Sequence, residues 1–104
     1  MIKISDAIAL DDREIEERFV RAMGPDGQNA NRNATAVELR LDVARSSLPA
    51  TIKQRLLTRG GRTVTKDGVL VIVSRKFRSQ ARNRKAVRRM LTALLRRAAD
   101  SVRA

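Results

Sequence analysis

The sequence predicts an α+β domain, in which a small mixed or antiparallel sheet is packed by two helices. Three observations carry this expectation. Residues 35–43 alternate with period two, an Asp-Gly turn stands between two β-prone runs within residues 62–74, and a helical stripe of period 3.6 runs from Ser79 to Val102. A chain of 104 residues has room for one core, so a single domain over residues 1–104 is expected.

Taken in order, the first element is the least defined. Between Glu14 and Ala22, Ile15, Phe19 and Val20 are apolar among charges, a pattern that suits a half-buried strand and a short helix about equally. Gly24-Pro25-Asp26-Gly27 and the polar residues that follow are dense in turn formers, so residues 23–33 read as an exposed loop. In the next segment Val37, Leu39, Leu41 and Val43 fall on one face and Glu38, Arg40 and Asp42 on the other, which predicts a strand with one face in the core.

Ser46-Ser47-Leu48-Pro49 offers an N-cap and a first-turn proline. Leu48, Ile52 and Leu56 then recur every fourth residue until Gly60-Gly61 stops the helix. Arg62 to Thr65 and Val69 to Ser74 flank Lys66-Asp67-Gly68, a hairpin signal because Asp and Gly tolerate positive φ at both turn positions. The unbroken run Val69-Leu70-Val71-Ile72-Val73 predicts that the second strand is interior to the sheet. Beyond Ser79, a candidate cap, Val87, Met90, Leu91, Leu94, Leu95 and Ala98 form the stripe of a long helix over about residues 79–102. Phe19 and Met90 lie on these apolar patterns and are assigned to the core.

Composition narrows the function. The formal net charge is +12, with 23 Lys and Arg against 11 Asp and Glu, and a polyanion is the partner such a surface attracts most strongly. Six acids, Asp6, Asp11, Asp12, Glu14, Glu16 and Glu17, precede residue 18, which leaves the remainder more basic still. The chain has no Cys and no His, so thiolate chemistry, disulfides and imidazole bases are excluded. No apolar run approaches the ~20 residues of a membrane-spanning helix, and the first residues lack a secretory apolar segment. The expectations are a cytoplasmic monomer that uses no metal or other cofactor and contacts no membrane.

Gly24-Pro25-Asp26-Gly27-Gln28-Asn29-Ala30-Asn31-Arg32 is similar to the G-P-G-G-Q-x-x-N-K loop of the peptidyl-tRNA hydrolase domain of class I release factors and ribosome-rescue hydrolases. Leu48-Pro49, Thr65-Lys66-Asp67-Gly68-Val69-Leu70-Val71-Ile72 and Arg78-Ser79-Gln80 with Asn83-Arg84 resemble the rest of that domain in order and spacing. A short glycine string alone marks only a turn, but three motifs in register over roughly residues 5–100 make coincidence a poor explanation. The resemblance selects a strand for residues 14–22 and completes the order β-β-α-β-β-α.

The resemblance further implies that the loop enters the ribosomal peptidyl transferase centre, where Gln28 acts on the ester joining peptide to tRNA, with Gly27 beside it. That chemistry needs no His or Cys: the ester is activated, a backbone N–H stabilises the developing oxyanion, and a neutral amide places water. Asn31 and Arg32 stand where the family has Asn and Lys, and are candidates for rRNA contact. Asp26 departs from the pattern. Aspartate visits the left-handed region at a cost on the order of 1 kcal/mol, but its carboxylate is repelled by rRNA phosphates and by the oxyanion. Weakened or lost hydrolysis is the expectation.

Arg75, Lys76, Arg78, Arg82, Arg84, Lys85, Arg88, Arg89, Arg96 and Arg97 follow one another with no acid between them. Charge runs are usually solvated helix faces. Here the first eight of these charges lack balancing acids at i+4, which points to an external polyanion, and those eight are candidates for RNA binding. With only Phe19 and Phe77 aromatic, recognition by shape and phosphate contact fits better than base stacking.

The expected partners are therefore large-subunit rRNA and peptidyl-tRNA. The family's stop-codon-reading domains and the long basic tail of its rescue hydrolases are not seen around these residues, and codon-independent rescue is the nearer reading. The alternatives are a catalytically impaired rRNA-binding paralogue or variant of the same domain, and a free RNA chaperone that uses only the basic surface.

Overall fold

The computed structural model describes residues 1–20 and 35–103. The chain forms β1 (Ile2–Lys3), β2 (Ala9–Leu10), β3 (Ile15–Val20), β4 (Ala36–Asp42), α1 (Ala50–Arg59), β5 (Val69–Ser74) and α2 (Gln80–Arg103), with 3-10 turns at Asp12–Glu14 and Gly61–Thr63. The α+β expectation holds, with every strand pairing antiparallel.

The main sheet has the order β3-β4-β5. In β4, Val37, Leu39 and Leu41 are fully buried while Glu38 and Arg40 face outward, so period-two patterning fixes which face meets the core. Buried residues of α2, Val87, Leu91, Leu95 and Ala98, share one hydrophobic cluster with β4, with Leu70 and Ile72 of β5, and with Ile52 and Leu56 of α1. Each fully buried aliphatic side chain of this kind contributes about 1.5–3 kcal/mol relative to exposure, so this cluster is the main source of cohesion.

Several expectations are corrected. The first strand of the hairpin does not form: Gly61–Thr63 is a 3-10 turn, and only Val64 bridges to Leu70. Consequently β5 lies at the sheet edge and β4 is central, with Val69, Val71 and Val73 half-buried on the outer face. The connecting turn is a three-residue loop closed by Gly68 N–H to Thr65 O (3.0 Å) and Thr65 N–H to Val69 O (2.9 Å). Gly68 takes φ +79° and Asp67 does not take positive φ, so glycine alone meets the turn's conformational demand.

Pro49, with no side-chain cap bond, is the N-cap of α1. Ser46 instead donates its hydroxyl to Val43 O, three residues back, and Ser47 donates to Glu14 of the first 3-10 turn, so the first is used by a local turn and the second by a tertiary bond. Gly61, at φ +55°, carries the stop after α1. Ser79 does cap α2, its Oγ accepting from Arg82 N–H at 3.2 Å.

Two short strands escaped the sequence reading. β1 and β2 pair Ile2 with Leu10 and Lys3 with Ala9, burying Ile2, Ile4 and Leu10 under α2. The early acids are structural here. Asp11 caps the first 3-10 turn, and Glu14 accepts from Asp11 N–H, Ser47 N–H and Ser47 Oγ, tying this region to the start of α1.

Candidate active site and nucleic-acid interface

Gly24, Pro25, Asp26, Gly27, Gln28, Asn31 and Arg32 lie outside the described residues. What is described is the stem from which they are reached in sequence. Val20, the last residue of β3, pairs with Ala36, the first of β4, so residues 21–34 begin and end at neighbouring points of the sheet.

Asn83 organises the returning side of that stem. It is fully buried, and its Oδ1 accepts from Ser74 Oγ (2.9 Å) and Phe77 N–H (3.1 Å). Its Nδ2 donates to Thr35 O (2.7 Å) and Phe77 O (2.8 Å). Thr35 Oγ1 also donates to Phe77 O at 3.2 Å. An amide offers two donors and two acceptor lone pairs, so every capacity of this side chain is used. Asn83 stood within a recognised motif, yet its position on an arginine-rich helix gave no signal of this role.

The basic candidates divide by environment. Arg82, Lys85 and Arg89 recur at i, i+3 and i+7, project from the face of α2 opposite the core, and are exposed. Arg75, Lys76 and Arg78, in the connection before α2, are exposed too. Lys76 Nζ and the Arg82 guanidinium approach the Phe77 ring at 5.7 and 6.0 Å from its centroid, contacts that restrain both cations near the stem.

Arg84 and Arg88 turn instead toward β3. Arg88 meets Glu17 at 2.8 Å and Asp12 at 3.5 Å, and Arg84 meets Glu17 at 3.4 Å. The expectation that only an external polyanion neutralises a run lacking acids at i+4 is corrected at these two positions, because Glu17 approaches from another element. The Arg88 hydrogen bond chiefly holds the Glu17 carboxyl below its ordinary value; burial opposes this, and Arg84 reinforces it. Arg96 is tethered through Nε to Ile4 O at 2.8 Å.

Phe19 and Met90, assigned to the core, are 56% and 47% exposed. Phe19 sits on an edge strand with one neighbour, and Met90 lies on the flank of the α2 stripe beside a shallow groove along β5 that Val71, Val73 and Arg97 also line. A second basic hollow of about 330 Å³ opens between the helices, where Arg55, Arg59 and Arg97 surround Leu56, Leu94 and Ala98. Among the described residues no cluster of acids has metal-ligand geometry, and no helix is long and apolar enough to cross a membrane.

The RF-1 domain model matches residues 2–103. This chain belongs to the RF-1 domain family. Over 84 residues the RF-1 domain here is 45% identical to a Pseudomonas putida protein named peptidyl-tRNA hydrolase ArfB, a match that takes in 81% of this chain. The same match spans 61% of the length of that protein.

Proposed function

We propose that this RF-1 domain hydrolyses the ester bond of peptidyl-tRNA on stalled ribosomes, independently of the codon, as a cytoplasmic monomer docked on large-subunit rRNA. The observation that carries the reading is its 45% identity to a protein named as a peptidyl-tRNA hydrolase, together with the Gly27-Gln28 pair in a chain lacking Cys and His.

In this reaction water attacks the ester carbonyl carbon, the bond to the tRNA oxygen breaks, and that leaving oxygen takes up the proton lost by the water to become a hydroxyl. Gln28 orients the water through its neutral amide, and backbone N–H at Gly27 or Gln28 stabilises the oxyanion. Arg75, Lys76, Arg78, Arg82, Lys85 and Arg89 supply cations for rRNA phosphates. Arg84 and Arg88 join them at the flank, where part of their charge already serves Glu17. Asn31 and Arg32 contact rRNA nearer the loop.

Asp26 lowers the rate, since its carboxylate opposes the developing negative charge of the same step. The second reading, an rRNA-binding paralogue or variant without turnover, is favoured by this one residue. Peptide release from stalled ribosomes, measured with large-subunit binding, separates them. Release that is abolished by Gln28→Ala with binding intact supports the hydrolase; binding without release in the parent supports the second reading.

A further inference from the structure

A fully buried polar side chain on the core-facing stripe of α2 is costly unless each of its hydrogen bonds is made, and Leu or Met would satisfy the same helix without that demand. Asn83 is such a residue, 0% exposed beside Val87 and Leu91 on the same stripe. Its partners are the useful clue. Ser74 ends β5, Phe77 belongs to the connection carrying Arg75, Lys76 and Arg78, and Thr35 O is the point at which residues 21–34 rejoin the described sheet. One amide therefore joins the stem of the candidate catalytic loop to the first turns of the basic helix.

We propose that Asn83 is a positioning residue for peptidyl-tRNA hydrolysis, whose four hydrogen bonds fix Thr35 and Phe77 to α2 so that the loop bearing Gln28 springs from a stem held in register with the RNA-facing cations. This inference rests on the hydrolase reading and deepens it. The docked surface and the reacting amide lie on different segments, and the distance between them is defined only as well as the joint connecting those segments. Misplacement of about 1 Å at a reacting group can cost as much as a hundredfold in rate.

The arrangement separates positioning from general stability. Asn83→Asp keeps the volume and both acceptors but sets an acceptor against Thr35 O and Phe77 O, breaking the two bonds that hold the stem and the turn. Ser74→Ala deletes one bond of the same buried network and leaves those two intact. Both variants lose stability, and only the first loses register.

The test measures single-turnover release and large-subunit affinity for the parent, Asn83→Asp and Ser74→Ala, at a temperature where thermal melts show each fully folded. The same set is made in an Asp26→Gly background. Asn83→Asp is expected to lower the release rate on the order of tenfold or more with affinity changed less than about twofold. Ser74→Ala is expected to leave the rate within about twofold. Equal rates in all three proteins, or losses that track only the unfolded fraction, overturn the inference while leaving the hydrolase reading in place. Absence of release from both the parent and Asp26→Gly overturns the hydrolase reading, and this inference with it.

Discussion

Glu17 of β3 and Arg88 of α2 meet at 2.8 Å, 71 residues apart in sequence, and the carboxylate is shared with Arg84. This contact joins the acidic first part of the chain to the basic helix, and it converts two of the uncompensated cations into structural ones. With the Glu17 side chain 16% exposed and that of Arg88 33% exposed, the pair is partly shielded from water and outranks the exposed pairs Arg13–Asp11 and Lys3–Asp6.

Acid sensitivity follows from it. The folded-state pKa of Glu17 lies below its ordinary value of 4.5, so its stabilisation is fully present above about pH 4.5 and is lost as pH falls through the depressed value. Glu17→Gln removes that dependence. The variant is expected to lose about 1–2 kcal/mol at neutral pH and progressively less below pH 4. Urea unfolding at pH 7 and pH 3 checks this; an equal loss at both would show that the carboxylate contributes nothing through its charge.

The same division predicts how RNA affinity responds to substitution. If about six phosphates are neutralised, affinity for large subunits falls roughly a thousandfold between 50 and 200 mM salt. Lys85→Ala and Arg89→Ala, on the exposed face, are each expected to reduce the salt slope by about one without changing the melting temperature. Arg88→Ala is expected to act chiefly on stability because it removes the shortest contact of Glu17 and leaves that carboxylate only Arg84 at 3.4 Å. A binding isotherm that is flat in salt would remove this surface from the interaction.

The two glycines after α1 are not equivalent. A Cβ at Gly60 would collide with the Val64 side chain and the Leu56 carbonyl, whereas one at Gly61 meets open space but occupies φ +55°. Gly61→Ala is expected to cost about 1 kcal/mol through backbone strain alone. Gly60→Ala must displace the segment whose Val64 bridges to Leu70, and is expected to cost roughly 2–3 kcal/mol. Melting curves of the two variants decide the order, and equal destabilisation would contradict it.

The sequence displays most clearly those features that repeat locally. Val37, Leu39 and Leu41 alternate, and Val87, Leu91 and Ala98 recur at helical spacing, so β4 and α2 could be drawn almost to their ends. β1 and β2, at two residues each, are too short to show a period, and Ile2 and Leu10 are buried only because α2 passes over them. The apolar run of β5 looked interior because hydrophobicity does not reveal which strand has two neighbours. Met90 lies on the stripe but at its margin. The candidate site divides in the same way: Gln28 and the basic run are recognisable as motif and charge. The bonds of Asn83 to Thr35 and of Glu17 to Arg88 join segments 48 and 71 residues apart, and no local pattern announces them.

Asp26 offers the most direct prediction about activity. A carboxylate within a few ångströms of a developing oxyanion in a water-poor site opposes it by several kcal/mol at an effective dielectric constant near 20. Each 1.4 kcal/mol is about tenfold in rate. Asp26→Gly is therefore expected to raise peptide release at least tenfold at neutral pH. Asp26→Asn, which removes the charge and keeps the side chain, is expected to recover most of that gain, because Asn also tolerates left-handed backbone. Single-turnover release at neutral pH reads all three proteins, and a parent as fast as Asp26→Gly would show that the carboxylate does not face the reacting ester.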